Sequence, residues 1–394
     1  YFVEGNFGYN GSENFSPNHR FGFFPSIAVG YVVSNEKFFA PIRDVVSMVK
    51  LKASYGLVGN DQIGGDRRFI YNETVIGGGK YYFGTTPSQY TSVRLGEFPN
   101  PNVGWEKAKK LNLGADLSFF NQLNISVDYF KENREGIFLQ RKSIPMYVGL
   151  STKPWVNIGK MRNSGIDASL EYHQPLGKDL HLTVRGNFTY ARNRIMDQDE
   201  PDYAYTYMNH SGQMQWQKFG LVAAGLFQDQ EDIDSWAKQS FGEVKPGDIK
   251  YLDLNGDGIV DNYDTKPIGY SDIPEIVYGF GFSLQWKAFD LSAFFQGVAH
   301  VSFSTLTDQT QAFVGRNLKE SSVFADLYGN TWTPENPGAK YPRMTTGAID
   351  NNNQLSTFWM ANGRYLRLKN LELGYTLPKR IANKIAMQSL RVYL

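Results

Sequence analysis

Along many segments of this chain apolar and polar residues alternate one by one, and that period of two limits the fold more than any other feature. Side chains on a strand point alternately to its two faces, so such a segment is a half-buried strand with unlike sides. In residues 180–190, Leu180, Leu182, Val184 and Phe188 fall on one face, and His181, Thr183, Arg185 and Asn187 on the other. Residues 276–287 repeat the pattern, with Tyr278, Phe280, Phe282 and Trp286 opposing Gly279, Gly281, Ser283 and Lys287.

Adjacent segments pair as hairpins without breaking the pattern. A tight turn at Ala288-Phe289 pairs Lys287 with Asp290 and Trp286 with Leu291, which keeps apolar residues on one face. Leu113, Ala115 and Leu117 lead through Asn121-Gln122 to Ile125, Val127 and Tyr129. Ile166, Leu170 and Tyr172 lead through Pro175-Leu176-Gly177-Lys178 to the strand at 180–190. About eleven strands are predicted, near 1–10, 21–33, 46–58, 107–120, 122–139, 160–173, 179–194, 276–287, 289–303, 363–377 and 388–394. Short connections lie near 120, 176, 288 and 380. Long ones run over about 59–106, 140–159, 195–275 and 304–362. Compact soluble domains rarely hold several structureless loops of this length, whereas outer-membrane barrels combine short turns at one rim with long loops at the other. The expected fold is therefore all-β, a large antiparallel transmembrane β-barrel with long extracellular loops at 195–275 and 304–362. The alternation by itself equally suits a β-sandwich core. The loop asymmetry favours the barrel. Tyr172, Tyr190 and Trp286, at predicted strand ends, are placed where an aromatic girdle would lie.

Composition agrees. Aromatic residues make up 15% of the chain and there are 39 glycines, which suits strands and turns. A net charge of +1 gives no broad electrostatic case for nucleic acid. The absence of cysteine excludes disulfides, thiol catalysis and cysteine-ligated zinc. There is no apolar run of the roughly 18 residues a spanning helix needs, but a barrel strand needs only about 10 of alternating pattern. The chain opens at Tyr1-Phe2-Val3 and closes inside a predicted strand at Leu394. Both ends read as cut.

Four segments, in order, stand out: Arg20-Phe21-Gly22-Phe23-Phe24-Pro25-Ser26 running on to Tyr31, Val49-Lys50-Leu51-Lys52-Ala53-Ser54-Tyr55-Gly56 running on to Asn60, Pro246-Gly247-Asp248-Ile249-Lys250-Tyr251 running on to Gly258, and Asn362-Gly363-Arg364-Tyr365-Leu366-Arg367-Leu368-Lys369-Asn370-Leu371 running on to Tyr375. Together they resemble the SusC/RagA class of TonB-dependent transporters of Bacteroidetes. The resemblance implies that this is an interior part of a twenty-two-stranded barrel enclosing a plug, with the plug, the TonB-contacting segment and the closing strands outside this chain. It further implies outer-membrane location, a SusD-like surface lipoprotein as lid, energy from the TonB–ExbB–ExbD complex, and import of an oligosaccharide or peptide.

One motif has ligand spacing. With Asp253 as position one, Asn255, Asp257, Asp261 and Asp264 supply side-chain oxygens at three, five, nine and twelve. Gly258 sits at six, and Ile259 at seven offers its carbonyl. This is the calcium-loop spacing of EF-hands, with Asp in place of the usual Glu at twelve. A structural Ca²⁺ is expected there, since four unneutralised carboxylates so close would repel one another. The pair Ile259-Val260 is expected to tether the loop.

Other constellations are weak. The histidines at 19, 173, 181, 210 and 300 lack metal spacing, Gly77-Gly78-Gly79-Lys80 lacks the P-loop pattern, and Glu231-Asp232 reads as a solvated turn. No catalytic residue is assigned and the chain is not read as an enzyme. Tyr203, Tyr205, Tyr207, Trp216, Trp236, Trp332 and Trp359 stand in long loops, where loop bracing is favoured over sugar stacking. Two other readings stay open. One is a secreted, calcium-braced β-sandwich that binds or cleaves glycans, and the other is a passive porin.

Overall fold

The computed structural model describes the chain except residues 66, 151, 308–309, 311–322, 324 and 346–348. It divides into two compact units. One holds Tyr1–Asp202, Val277–Gly297 and Leu366–Leu394, and the other Tyr203–Ile276 and Val298–Tyr365.

The first unit is an eleven-stranded sheet in which each strand neighbours the next one in the sheet's chain order. Its strands are β1 (Phe2–Gly11), β2 (Phe21–Val32), β3 (Val46–Asn60), β4 (Glu106–Phe119), β5 (Leu123–Gln140) and β6 (Trp155–Pro175). They continue as β7 (Leu180–Asp197), β8 (Ile276–Trp286), β9 (Phe289–Ala299), β10 (Tyr365–Thr376) and β11 (Arg391–Tyr393). These are the eleven strands expected from the alternation. Only their ends differ, most at β6, which begins at Trp155.

The tight turns form where the backbone can reverse. Phe120 and Asn121 take φ of 52° and 54°, and Gln122 N donates to Phe119 O at 2.9 Å, so a primed turn joins β4 to β5. The β8–β9 turn lies one residue earlier than expected, at Lys287-Ala288, with Lys287 at φ 51°. Trp286 then stacks on Phe289 and Phe280 on Phe295, with centroids 6.3 and 5.3 Å apart. The loop keeps an even length, so the apolar residues still share a face. Tyr190 is not at a strand end, because β7 runs on to Asp197 and Tyr190 pairs with Ile166 in its interior.

The second unit corrects the picture of the connections at 195–275 and 304–362 as structureless loops. Segments of the two fold together around Leu221, Leu226, Ile249, Tyr251, Val260, Trp332 and Trp359. Each such buried side chain contributes about 1.5–3 kcal/mol. Short ladders pair Lys218–Gly220 with Lys266–Ile268, Ala223–Leu226 with Ile249–Tyr251, and Ser302–Ser304 with Met360–Asn362. One site locks the two connections. Arg343 Nε stands 2.8 Å from Oδ1 of the fully buried Asp248, and Asn352 Nδ2 donates to the same oxygen at 2.9 Å. At the adjoining Gly247, φ is 90° and a Cβ would meet the Trp332 ring at 2.4 Å, so only glycine fits.

Candidate functional site

The register turns the alternation into continuous rows. One row passes through Val3, Val29, Ala53, Leu113, Tyr129, Ile166 and Tyr190, each paired with the next across β1–β7. Another passes through Tyr31, Leu51, Ala115, Val127, Ala168 and Phe188. These apolar side chains are not covered. Val3 is 69% exposed, Leu51 48% and Leu113 45%. A water-soluble protein rarely leaves an apolar face of this extent open, and a lipid-facing sheet requires it.

The opposite face is polar and cross-linked. Lys52 Nζ donates to Asp116 at 2.8 Å and to Asp128 at 3.3 Å, and Ser126 Oγ donates to Asp116 at 2.7 Å. Arg185 stands 3.1 Å from Glu171. An open depression of about 500 Å³ lies here, lined by Asp116, Ser126, Glu171, Arg185 and Asn187 together with Met48, Leu117, Ile125, Leu170 and Phe294. Arg185 therefore joins the polar face, while Val184 pairs with Tyr172 among the apolar residues.

In the second unit the loop Asp253–Asp264 closes on its own backbone. Asp253 accepts from Gly256 N at 2.7 Å and Gly258 N at 2.8 Å, and Asp257 accepts from Ile259 N at 2.8 Å. Gly256 and Gly258, at φ 77° and 85°, make the sharp turns this wrapping needs. Asp264 is fully buried and accepts from Leu254 N at 2.6 Å, Asn255 N at 3.4 Å and Asp261 N at 2.8 Å. The short residue at position twelve is thus committed to the loop's own amides. Asn255 Nδ2 donates to Asp257 at 3.0 Å, and Asp261 caps Tyr263 N at 2.7 Å. Backbone N–H groups draw these carboxylates into order, which repulsion alone would not give. Among the described residues no group of three or more His, Cys, Asp or Glu converges as metal ligands do. The donors that remain are all hard oxygens, which suit Ca²⁺. Ile259-Val260 pairs in parallel with Lys238-Gln239, and Val260 enters the core, so the tether forms as expected.

Sequence reasoning did not place Tyr207 beside this loop. Its hydroxyl donates to Tyr263 O at 2.7 Å. Partial burial, then the charge of Asp264, neighbouring Tyr205, and the charges of Asp253 and Asp257, hold that hydroxyl above the ordinary tyrosine value. Tyr205 stacks on Tyr207 at 5.3 Å. Trp332 and Trp359, 8% and 3% exposed, brace the core, and Trp236 donates to Tyr251 O at 2.7 Å. Trp216 stays exposed. The histidines join no metal-like cluster among the described residues. His300 stands 3.1 Å from Glu275 and His173 bonds Thr183. Asp232 of the acidic pair is not a free solvated residue, since Lys250 Nζ donates to it at 2.9 Å.

The family model described as TonB dependent receptor-like, beta-barrel matches residues 3–394. The chain belongs to the TonB-dependent receptor β-barrel family. Membership places this receptor chain in the outer membrane, as the exposed apolar rows require, in a family of transporters rather than enzymes. Relatives from the SusC/RagA class, to which the four sequence segments pointed, are among the matches. TonB-dependent receptor P3 of Formosa agariphila is 29% identical over 398 residues, covering 98% of this chain and 38% of that protein. TonB-dependent receptor SusC of Bacteroides thetaiotaomicron is 26% identical, covering 93% of this chain and 35% of that protein. The chain thus spans under two fifths of these relatives' length. The RagAB peptide transporter shares the fold, with a TM-score of 0.75 at 23% identity, over 99% of this chain and 41% of that one.

Proposed function

We propose that the receptor containing this chain imports a large nutrient, an oligosaccharide or a peptide, intact across the outer membrane. The observation that carries the reading is the sheet with one exposed apolar face and one cross-linked polar face, in a chain of this family. RagAB is a peptide transporter, which supports the peptide alternative, and the resemblance to the SusC/RagA class keeps the oligosaccharide beside it. A SusD-like surface lipoprotein serves as lid, the TonB–ExbB–ExbD complex supplies energy, and the connections at 195–275 and 304–362 face outside. Uptake of labelled oligosaccharides and peptides by cells, with the gene present or deleted, tests this. Gene-dependent uptake should stop when the inner-membrane proton gradient is dissipated. Gene-dependent uptake that survives dissipation would instead make the protein a passive porin.

For the acidic loop we propose a structural Ca²⁺ held by Asp253, Asn255, Asp257, the Ile259 carbonyl and Asp261. Asp264 braces these ligands from behind. The support is the oxygen-only donor set, the two turning glycines and the tether of Val260. A cation here favours the phenolate of Tyr207, so calcium should lower the titration of that hydroxyl toward its ordinary value. Difference absorbance of the purified receptor against its Tyr207→Phe variant reads this. Calcium should also protect the loop from protease, and Asp257→Ala should abolish both effects. No calcium-dependent change in either measurement would dismiss the ion.

A further inference from the structure

The apolar face of the sheet ends differently at its two rims. Toward the tight turns of β4–β7 it finishes in Phe119, Leu123, Tyr172 and Val184, paired side by side. Toward the long connections, the row beyond Leu113, Tyr129, Ile166 and Tyr190 reads Leu111, Lys131, Ser164 and Arg192. The next reads Lys109, Asn133, Arg162 and Arg194, and a third brings together Lys107, Glu135 and Lys160. Among the described residues these rows hold seven cations and two carboxylates, Glu135 and Asp197, and Arg192 and Arg194 have further partners of their own. The two carboxylates approach Lys109 at 2.8 Å and Lys160 at 3.8 Å. Lys107 and Arg162 are exposed, and Arg162 Nε donates to Asn133 Oδ1 at 3.2 Å.

Spacing puts this belt at a membrane surface. Lys109 and Phe119 lie ten residues apart on β4, about 34 Å along the strand. At a tilt of about 45° that is about 24 Å along the membrane normal, close to the roughly 25 Å of a barrel's apolar band. When the Phe119 row stands at one rim, the Lys109–Arg162 row stands at the other.

We propose that this belt binds the phosphate groups of a phosphorylated glycolipid in the outer leaflet, with its acyl chains on Leu113, Tyr129 and Ile166. The amphipathic match argues for a lipid, because cations border apolar side chains on the same strands. Lys107, Lys131 and Arg162, the cations of these rows outside those pairs, argue for phosphate monoesters, each carrying more charge than a phosphodiester, and Arg can hold them bidentately. The assignment to the outer leaflet rests on the proposed transport function, in which the long connections face outside.

The test uses the full-length receptor in phosphatidylcholine nanodiscs with a few per cent of diphosphoryl lipid A, dephosphorylated lipid A or phosphatidylglycerol. Lipid co-purifying with the receptor is counted by mass spectrometry. Diphosphoryl lipid A should be enriched over the other two. The triple variant Lys107→Gln, Lys131→Gln, Arg162→Gln should retain at least about tenfold less of it, and Lys178→Gln, in the β6–β7 turn, as much as the wild type. Heat-modifiable mobility checks that each variant is folded. If the triple variant fails to assemble, Arg162→Gln alone should lower retention about fivefold. Undiminished retention in the folded variants, or equal enrichment of the other lipids, would overturn the proposal and leave the transport reading standing. That reading is tested separately, by uptake.

Discussion

At the scale of single residues, a carboxylate's neighbours decide whether it is a site or a support. Glu231-Asp232 reads in sequence as one solvated acidic turn, yet the two differ. Asp232 accepts from Lys250 Nζ at 2.9 and 3.1 Å and from Gln228 N at 3.1 Å, and Lys250 also lies 4.6 Å from the centre of the Trp236 ring. Burial pushes the Asp232 carboxyl up, but Lys250 and the Gln228 amide outweigh it and hold the group below the ordinary aspartate range. A depressed folded value means that the stabilisation is complete above the ordinary value of about 3.9 and fades as pH falls below it. Acidification through pH 4 should therefore open the segment around Gln230–Asp234 to protease. In Asp232→Asn that acid-dependent step should be missing. An unchanged acid profile in the variant would show that another group governs it. The spacing of Asp253 to Asp264 was legible because the loop's acidic residues lie within twelve positions of one another. The partnership of Asp232 with Lys250 was not, since nothing local couples them.

At the scale of elements, most of the fold was written in the sequence. Period two is a local property, so the eleven strands could be placed from alternation and turn residues alone, Asn121 and Gly177 among them. What alternation leaves open is the offset of a turn that preserves parity, hence the one-residue displacement at Lys287-Ala288. It also leaves open where a strand ends, as at β7, which runs past the expected 194 to Asp197. The faces themselves give a sharp expectation. Val184 belongs to the apolar rows and Arg185 to the polar face. An Arg facing lipid near the midplane costs about 2–4 kcal/mol, and less toward a rim. Val184 stands in the row at one rim, whereas Phe188, four residues on along the same face of β7, stands nearer the midplane. Phe188→Arg should therefore impair assembly into the outer membrane, measured as the heat-modifiable fraction, much more than Arg185→Ser. Equal losses would mean that the two faces are assigned wrongly.

At the scale of the whole molecule, the second unit was the part that could not be read. Its defining contacts join residues about a hundred positions apart, such as Asn352 with Asp248 and Tyr251 with Asn351, and no period marks them. Only the resemblance singled out Pro246-Gly247-Asp248, without giving its role. In the structure that segment is the socket of a lock. Gly247 N donates to Phe227 O at 2.7 Å, Arg343 N donates to Gly247 O at 2.9 Å, and Arg343 Nη2 donates to Asp248 Oδ2 at 3.1 Å. Removing one partner of a buried ion pair leaves the other charge unpaired, at a cost of about 3–5 kcal/mol. The Arg343 side chain is 24% exposed, which brings the expectation to about 2–3 kcal/mol, since solvent reaches one side of the pair. The lock holds together segments from two separate connections, so its loss should loosen both at once. The sheet has its own ladders and should survive. In Arg343→Ala, cleavage sites should therefore appear together within 203–276 and 298–365, while the barrel keeps its heat-modifiable mobility. Cleavage confined to one connection would show that each is held by its own local contacts. Loss of the barrel as well would show that the second unit is needed for the sheet to form.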